Sequence, residues 1–346
     1  MKRIALLLCV LICFSILPGC SGGGKTVLRV YNWGEYIDES VLKEFEARYP
    51  DIRVQYETYT DNEIMYTKIK NSSTKYDVLI PSDYMIERLI GENMLAPLNF
   101  DNIPNYSLID DKYKNLAFDP ENKYSVPYMW GTLGILYDKT KIQEEQFTWG
   151  MLFDGKYANS ILMKKDMRDA VGVSLKSLGY SFNSTDSGEL NAAKDRLSGQ
   201  IGNVLAYVND DGMDKMIAGE APMALMYSGD GAYCISENEN LDFAIPEDGS
   251  NLFFDSMVIP ANSEHKDAAE KFINFMCEKE IAQKNADEIG YSTPHTGVYE
   301  ALPDEVKNSF AYPSLEVLEK AEIYKYLGEE VTAMYEKVWS EFQASL

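Results

Sequence analysis

Val27-Leu28-Arg29-Val30-Tyr31-Asn32-Trp33-Gly34-Glu35-Tyr36-Ile37-Asp38-Glu39-Ser40-Val41-Leu42-Lys43-Glu44-Phe45 is the stretch around which the chain is arranged. Residues 27–31 are rich in β-branched and aromatic side chains, the signal of a short strand. Asn32 and Gly34 break it. Asp38 can cap a helix, with Ile37 before it and Leu42 after it as a hydrophobic staple. Val41, Leu42, Phe45 and Tyr49 follow at helical spacing, and Pro50 closes the segment. Trp33, Glu35 and Tyr36 are thereby expected on a strand-to-helix loop. In an open α/β sheet that loop lies at the carboxyl end of a strand, where ligands bind. A π face beside a negative charge suits an organic cation. The plainer alternative is a turn whose Trp and Tyr pack on the first helix.

The alternation continues outward. A second strand is expected at 52–59, and Thr60-Asp61-Asn62-Glu63 reads as a capping box for a helix holding Ile64, Met65 and Ile69. Residues 76–80 read as a strand buried on both faces, ending in Pro81-Ser82-Asp83-Tyr84 and a helix through Ile86, Leu89 and Ile90. This βαβαβ order implies a parallel sheet. Residues 99–123 are loop-rich. Residues 124–130 and 131–137 form two extended pieces broken at Pro127 and Gly131, the pattern of a hinge crossing between domains. Strands are then expected at 161–163, 204–208, 221–227 and 241–246, with helices opened at Asp166, at 209–212 and at Gly229-Asp230-Gly231. Residues 252–260, interrupted at Asp255, are the candidate return crossing. Residues 266–280 are one amphipathic helix, and 328–342 a terminal one.

Bulk properties narrow the class. Residues 1–19 carry Lys2, Arg3 and an apolar run too short to span a bilayer, as in a lipoprotein signal peptide. Leu17-Pro18-Gly19-Cys20 matches a bacterial lipobox, with Cys20 the lipidated residue and 20–25 a flexible tether. Localisation on the extracytoplasmic face of the cell membrane follows. The length that remains suits two domains. Losing Lys2 and Arg3 moves the formal charge from −23 to −25. Such a surface repels nucleic acid and steers cations inward. Cys234 and Cys277 are the thiols of the body, and each reads as a small buried hydrophobe rather than half of a disulfide. The two histidines, His265 and His295, have no metal-ligand spacing. No phosphate loop and no Gly-x-Ser-x-Gly elbow occurs. The acidic run at 209–212 lacks calcium-loop spacing and reads as a helix cap. No metal, no cofactor and no catalytic residue is therefore expected.

Aromatic and acidic residues gather at expected strand ends: Trp33, Glu35 and Tyr36; Ser82 and Tyr84; Tyr128 and Trp130; Asp166 and Asp169; Tyr227 and Asp230; Phe253 and Asp255; Tyr291. Singly, Asp166 is a helix cap, and Tyr227 and Phe253 are core. Asp255 resists that treatment, because a carboxylate inside Leu-Phe-Phe-Asp-Ser-Met-Val-Ile needs partners or a ligand. Together they describe an aromatic box with acids at its ends, the complement of a flexible diamine.

These motifs resemble those of the polyamine-binding proteins of bacterial ABC importers, in the type II periplasmic binding protein family. The resemblance covers the mature chain. It rests on Tyr31-Asn32-Trp33-Gly34-Glu35-Tyr36, Tyr76-Asp77-Val78-Leu79-Ile80-Pro81-Ser82, Val126-Pro127-Tyr128-Met129-Trp130-Gly131, Phe254-Asp255-Ser256 and Ile289-Gly290-Tyr291-Ser292-Thr293-Pro294. It implies a two-lobed α/β fold, each lobe a mixed, mostly parallel sheet flanked by helices. Lobe 1 would take 26–129 and 255–300, lobe 2 130–254 and 301–346. It implies a putrescine or spermidine ligand held by Trp33, Glu35, Tyr36, Ser82, Tyr84, Asp166, Asp169, Tyr227, Asp230, Phe253, Asp255 and Tyr291, and delivery by a monomer to a membrane permease. Three departures blur the choice of amine. Gly34 stands where relatives carry a small hydroxyl residue, Tyr324 where spermidine-preferring members carry an amide, and Asp230 follows Gly229 as in putrescine-preferring members. Putrescine is expected to bind at least as well as spermidine. Rival readings are the same fold holding a sugar, thiamine or iron, and a glycosidase using Asp166 and Asp169, whose i, i+3 placement fits a shared ammonium better than two acids flanking a glycosidic bond.

Overall fold

A computed structural model describes residues 24–346. The leader, Cys20 and most of the tether lie outside the described residues. The first lobe-forming run is β1 (Thr26–Trp33), α1 (Glu39–Arg48), β2 (Ile52–Tyr59), α2 (Asn62–Asn71), β3 (Val78–Leu79) and α3 (Asp83–Gly91). After three short 3-10 turns comes β4 (Ser125–Asp138), then β5 (Ile161–Lys164), α4 (Met167–Ser177), α5 (Ser187–Gln200), β6 (Val204–Val208) and α6 (Asp211–Ile217). The chain continues through β7 (Met223–Tyr227), α7 (Ser228–Glu237), β8 (Leu241–Ala244), β9 (Leu252–Val258), α8 (Lys266–Met276) and α9 (Lys279–Ile289), and ends in a helix at Glu329–Gln343.

The strands lie in the order β2-β1-β3-β9-β4-β7-β5-β6, with β8 also on β4. Two parallel groups sit at the flanks: β1 with β2 and β3, and β5 with β6 and β7. Antiparallel β9 and β4 join them. Ser125–Thr132 of β4 pairs with β9, while its later residues pair with β7 and β8. The carboxyl ends of β1, β3, β5, β6 and β7 all give onto strand-to-helix loops, the side of an α/β sheet where ligands bind. Apolar faces fill one large core around β1, β3, β9 and α8, a second beneath β7 and β8, and a third between α4, α5 and the terminal helix.

Several local readings need correction. The expected capping box at Thr60 gives way to Asp61, whose carboxylate accepts from Ile64 N at 2.7 Å; a carboxylate is the stronger acceptor at a helix start. Only Val78–Leu79 of the third strand pairs regularly, because the Ile80 carbonyl is taken by Tyr59 Oη and Trp33 Nε1. Residues 125–138 form one strand rather than two. The break reduces to a register shift between Pro127 and Met129, where proline offers no N–H to the ladder. Gly131 stays in register; a Cβ there would fall 2.8 Å from Phe253, so the glycine serves close packing. Asp255 does not interrupt β9 but lies within it, opposite Met129. The expected 266–280 helix ends at Met276, and α9 follows. Helix α5, with a weak apolar stripe, was not legible in the sequence. Cys234 and Cys277 are both buried free thiols. Among the described residues no helix is long and apolar enough to cross a membrane.

Candidate functional site

The strand ends enclose a cleft partly open to solvent. All twelve candidate residues line it. Local sequence explains why. Each sits at the carboxyl end of a strand or in the first turn of the helix after it, except Phe253 and Asp255, which point in from β9, and Tyr291, which follows the left-handed Gly290 cap of α9 (φ 69°).

Asp255 anchors one end. It is 4% exposed and accepts hydrogen bonds from Tyr36 Oη and Ser82 Oγ, both at 2.7 Å. Burial pushes its carboxyl up to about 6, against the pull of those two donors. Tyr128 Oη donates to the Tyr36 carbonyl at 2.9 Å, which fixes the loop from behind. Trp33 Nε1 donates to the Ile80 carbonyl at 2.8 Å, and its ring lies 4.7 Å from that of Tyr59. Tyr36 and Tyr291 meet edge to face at 4.9 Å. Glu35 sits exposed at the rim in the left-handed region (φ 40°).

The opposite wall carries the other acids. Asp166 caps α4, accepting from Asp169 N at 3.0 Å. Asp169 is 1% exposed and accepts from Tyr227 Oη at 2.5 Å and Tyr324 Oη at 3.2 Å. Burial, with Asp166 beside it, pushes Asp169 up to about 7. Asp230 accepts from Tyr291 Oη at 2.7 Å and is likewise raised, chiefly by burial. Phe253 packs at 5.1 Å against Tyr227 and 6.0 Å against Tyr291. Tyr84 Oη donates to Glu63 at 3.0 Å, and burial pushes Glu63 up to about 8.

Tyr128 and Trp130, singled out with the others in the sequence, stand behind the wall and do not line the cleft. The cleft adds residues the sequence did not mark, among them Tyr59, Lys164, Arg168, Asp210, Met213 and Asn251. The run 209–212, read from the sequence as a helix cap, does place Asp210 at the N-cap of α6, but its side chain makes no cap bond. Tyr324, marked only as a departure, binds Asp169 directly. At Gly34 a Cβ would lie 2.6 Å from the Asp210 carboxylate, so the missing side chain leaves that acid room.

The hydroxyls of Tyr36, Ser82, Tyr227, Tyr291 and Tyr324 already serve carboxylates, and the lining acids Glu35, Asp166, Asp169, Asp210, Asp230 and Asp255 outnumber the lining cations Lys164 and Arg168. Acids beside tyrosine and phenylalanine rings have the chemistry to pair a cation and pack an apolar stem. Asp166 and Asp169 share one helical turn, so they do not face each other across a scissile bond. No group of His, Cys, Asp and Glu able to hold a metal ion occurs among the described residues.

Comparison with known proteins adds independent findings. The family model for bacterial extracellular solute-binding proteins matches residues 40–314. The spermidine/putrescine-binding periplasmic protein of Salmonella typhimurium is 33% identical over 320 residues, covering 92% of this chain and 91% of that one. A solved structure from Listeria monocytogenes is 42% identical with a TM-score of 0.89, covering 92% of this chain and 99% of the other. The spermidine/putrescine ABC transporter substrate-binding protein of Streptococcus pneumoniae is 40% identical with a TM-score of 0.77, covering 93% and 99%.

Proposed function

The chain belongs to the bacterial extracellular solute-binding protein family, and on that premise we propose that it captures a polyamine, putrescine or spermidine, in the interlobe cleft. The architecture is the two-lobed α/β periplasmic binding fold. Its family binds solutes and performs no reaction.

One observation carries the reading: Asp255, buried with only hydroxyl partners and held above the usual carboxylate range. An arriving ammonium restores the charge that burial opposes. Asp169 and Asp230 offer the same to the far end of the ligand, and Tyr36, Tyr227, Phe253 and Tyr291 take the methylenes between. A desolvated cation–π contact adds about 2 kcal/mol. Lobe 1 (26–129, 255–300) and lobe 2 (130–254, 301–346) would close over the amine by bending where β4 and β9 cross. Water exclusion then strengthens each ammonium–carboxylate pair. A lipid on Cys20 would hold the monomer at the outer membrane face, beside the permease that receives the amine.

Calorimetric titration with putrescine, spermidine, a sugar, thiamine and ferric citrate tests this. Saturable binding of an amine and of nothing else is the expected result. Binding of one of the other solutes with no heat from either amine would overturn it.

A further inference from the structure

Lys164 ends β5 and lines the cleft, yet the amine reading leaves it without a task. Its ammonium lies over the ring of Tyr227, 3.9 Å from the centroid. That ring carries the hydroxyl bound to Asp169. Lys164 forms no ion pair with Asp169 or Asp230 among the described residues, but its charge acts on both and leaves Asp255 alone. The two ends of the cleft therefore differ. At the Asp255 end no cation stands beside the carboxylate among the described residues. At the other end Asp169 and Asp230 already share one.

Resting on the polyamine reading, we propose that Lys164 is a tethered ammonium occupying one cation position of the cleft, so that the site selects a diamine over a triamine. Asp255 takes one ammonium of the ligand. The second shares Asp169 and Asp230 with Lys164. A further ammonium on a longer ligand would enter the end that Lys164 already occupies. It meets a like charge and an aromatic face already covered, in surroundings where charges are weakly screened. Arg168 does not play this part. Its guanidinium is fastened to the Lys325 carbonyl at 3.1 Å and to Asn183 Oδ1 at 3.2 Å, and it stacks on Tyr324 at 4.6 Å.

Lys164→Met keeps an unbranched apolar side chain and removes the charge; Lys164→Gln removes it while keeping a polar tip; Lys164→Arg keeps it. Putrescine and spermidine are titrated into each by calorimetry, and the ratio of the two dissociation constants is read. Wild type should favour putrescine. Both neutral variants should move the ratio toward spermidine by at least about tenfold, and Lys164→Arg should leave it on the putrescine side. A ratio unmoved in both neutral variants, or an equal gain for both amines, overturns the inference and leaves the polyamine reading standing. Wild type that takes up neither amine overturns that reading and the inference with it.

Discussion

At Asp255 and Asp169 the protein holds carboxylates almost wholly buried, with hydroxyls as partners. Asp255→Asn keeps the shape and removes the charge. It should weaken amine binding by at least about 2 kcal/mol, the scale of a lost desolvated pair, while the fold persists. Calorimetry and a melting curve check this; an unchanged dissociation constant at an unchanged melting temperature would remove Asp255 from the site. The same two acids set a pH dependence. Burial places them near 6 and 7, above the roughly 3.9 of an unfolded aspartate. The folded, unliganded protein thus binds protons more tightly than the unfolded chain. Their favourable contribution is complete below about pH 4 and is lost as pH rises through 6 to 7. Without ligand the melting temperature should fall between pH 5 and 7.5. Amine affinity should run oppositely, at least about tenfold weaker at pH 5 than at pH 8, since protonated acids cannot pair with an ammonium. A flat affinity profile would show that neither acid meets the ligand.

Helix α7 brings two of these residues into place. It begins at Ser228, directly after β7, so that Tyr227 and Asp230 fall on either side of the turn. Gly229 between them is what lets Tyr291 reach Asp230. A Cβ at 229 would lie 1.8 Å from the Tyr291 ring. That ring cannot slide aside freely, being hydrogen-bonded to Asp230 and packed edge-on to Tyr36. Gly229→Ala should therefore displace Tyr291 and weaken amine binding at least about tenfold, with the far-ultraviolet circular dichroism preserved. Wild-type affinity in this variant would mean that the packing of α7 against Tyr291 is not needed for the site. In β4 the opposite outcome holds: Pro127 and Gly131 look like breaks, but pairing with β9 across both positions, taken over by β7 and β8 beyond Thr132, keeps the strand whole. Pairing over fourteen residues outweighs one missing donor and one missing side chain.

At the scale of the molecule, the two parallel groups of strands are joined through β4 and β9, which makes rigid-body closure the simplest response to a ligand that touches both walls. Small-angle scattering should show the radius of gyration falling when saturating putrescine is added; an identical curve with and without a bound amine would count against the hinge. The net charge of −23 favours steering of cations toward the cleft. Anchoring is tested separately. Cys20→Ala should move the protein from the membrane to the soluble fraction, and a variant as membrane-bound as wild type would refute lipidation at this residue.

The sequence by itself determined the alternation of strands and helices, the parallel pairing of the first βαβαβ unit and the gathering of Trp33, Tyr36, Ser82, Asp169 and Tyr227 at strand ends. These are consequences of local periodicity and chain direction, which act over a few residues. Tertiary structure alone decided how the acids are held. Tyr36 meets Asp255 across 219 positions, Tyr291 meets Asp230 across 61, and Tyr227 meets Asp169 across 58. No spacing rule spans such intervals. It also decided that Asp255 lies inside an unbroken strand, since a carboxylate is tolerated there only once Tyr36 and Ser82 donate to it. Lys164 drew no reading from the sequence and Asp210 read as part of a helix cap; the fold turns both into the cleft. The charge state of a buried group depends on what surrounds it in space, and that is set only when the lobes are assembled.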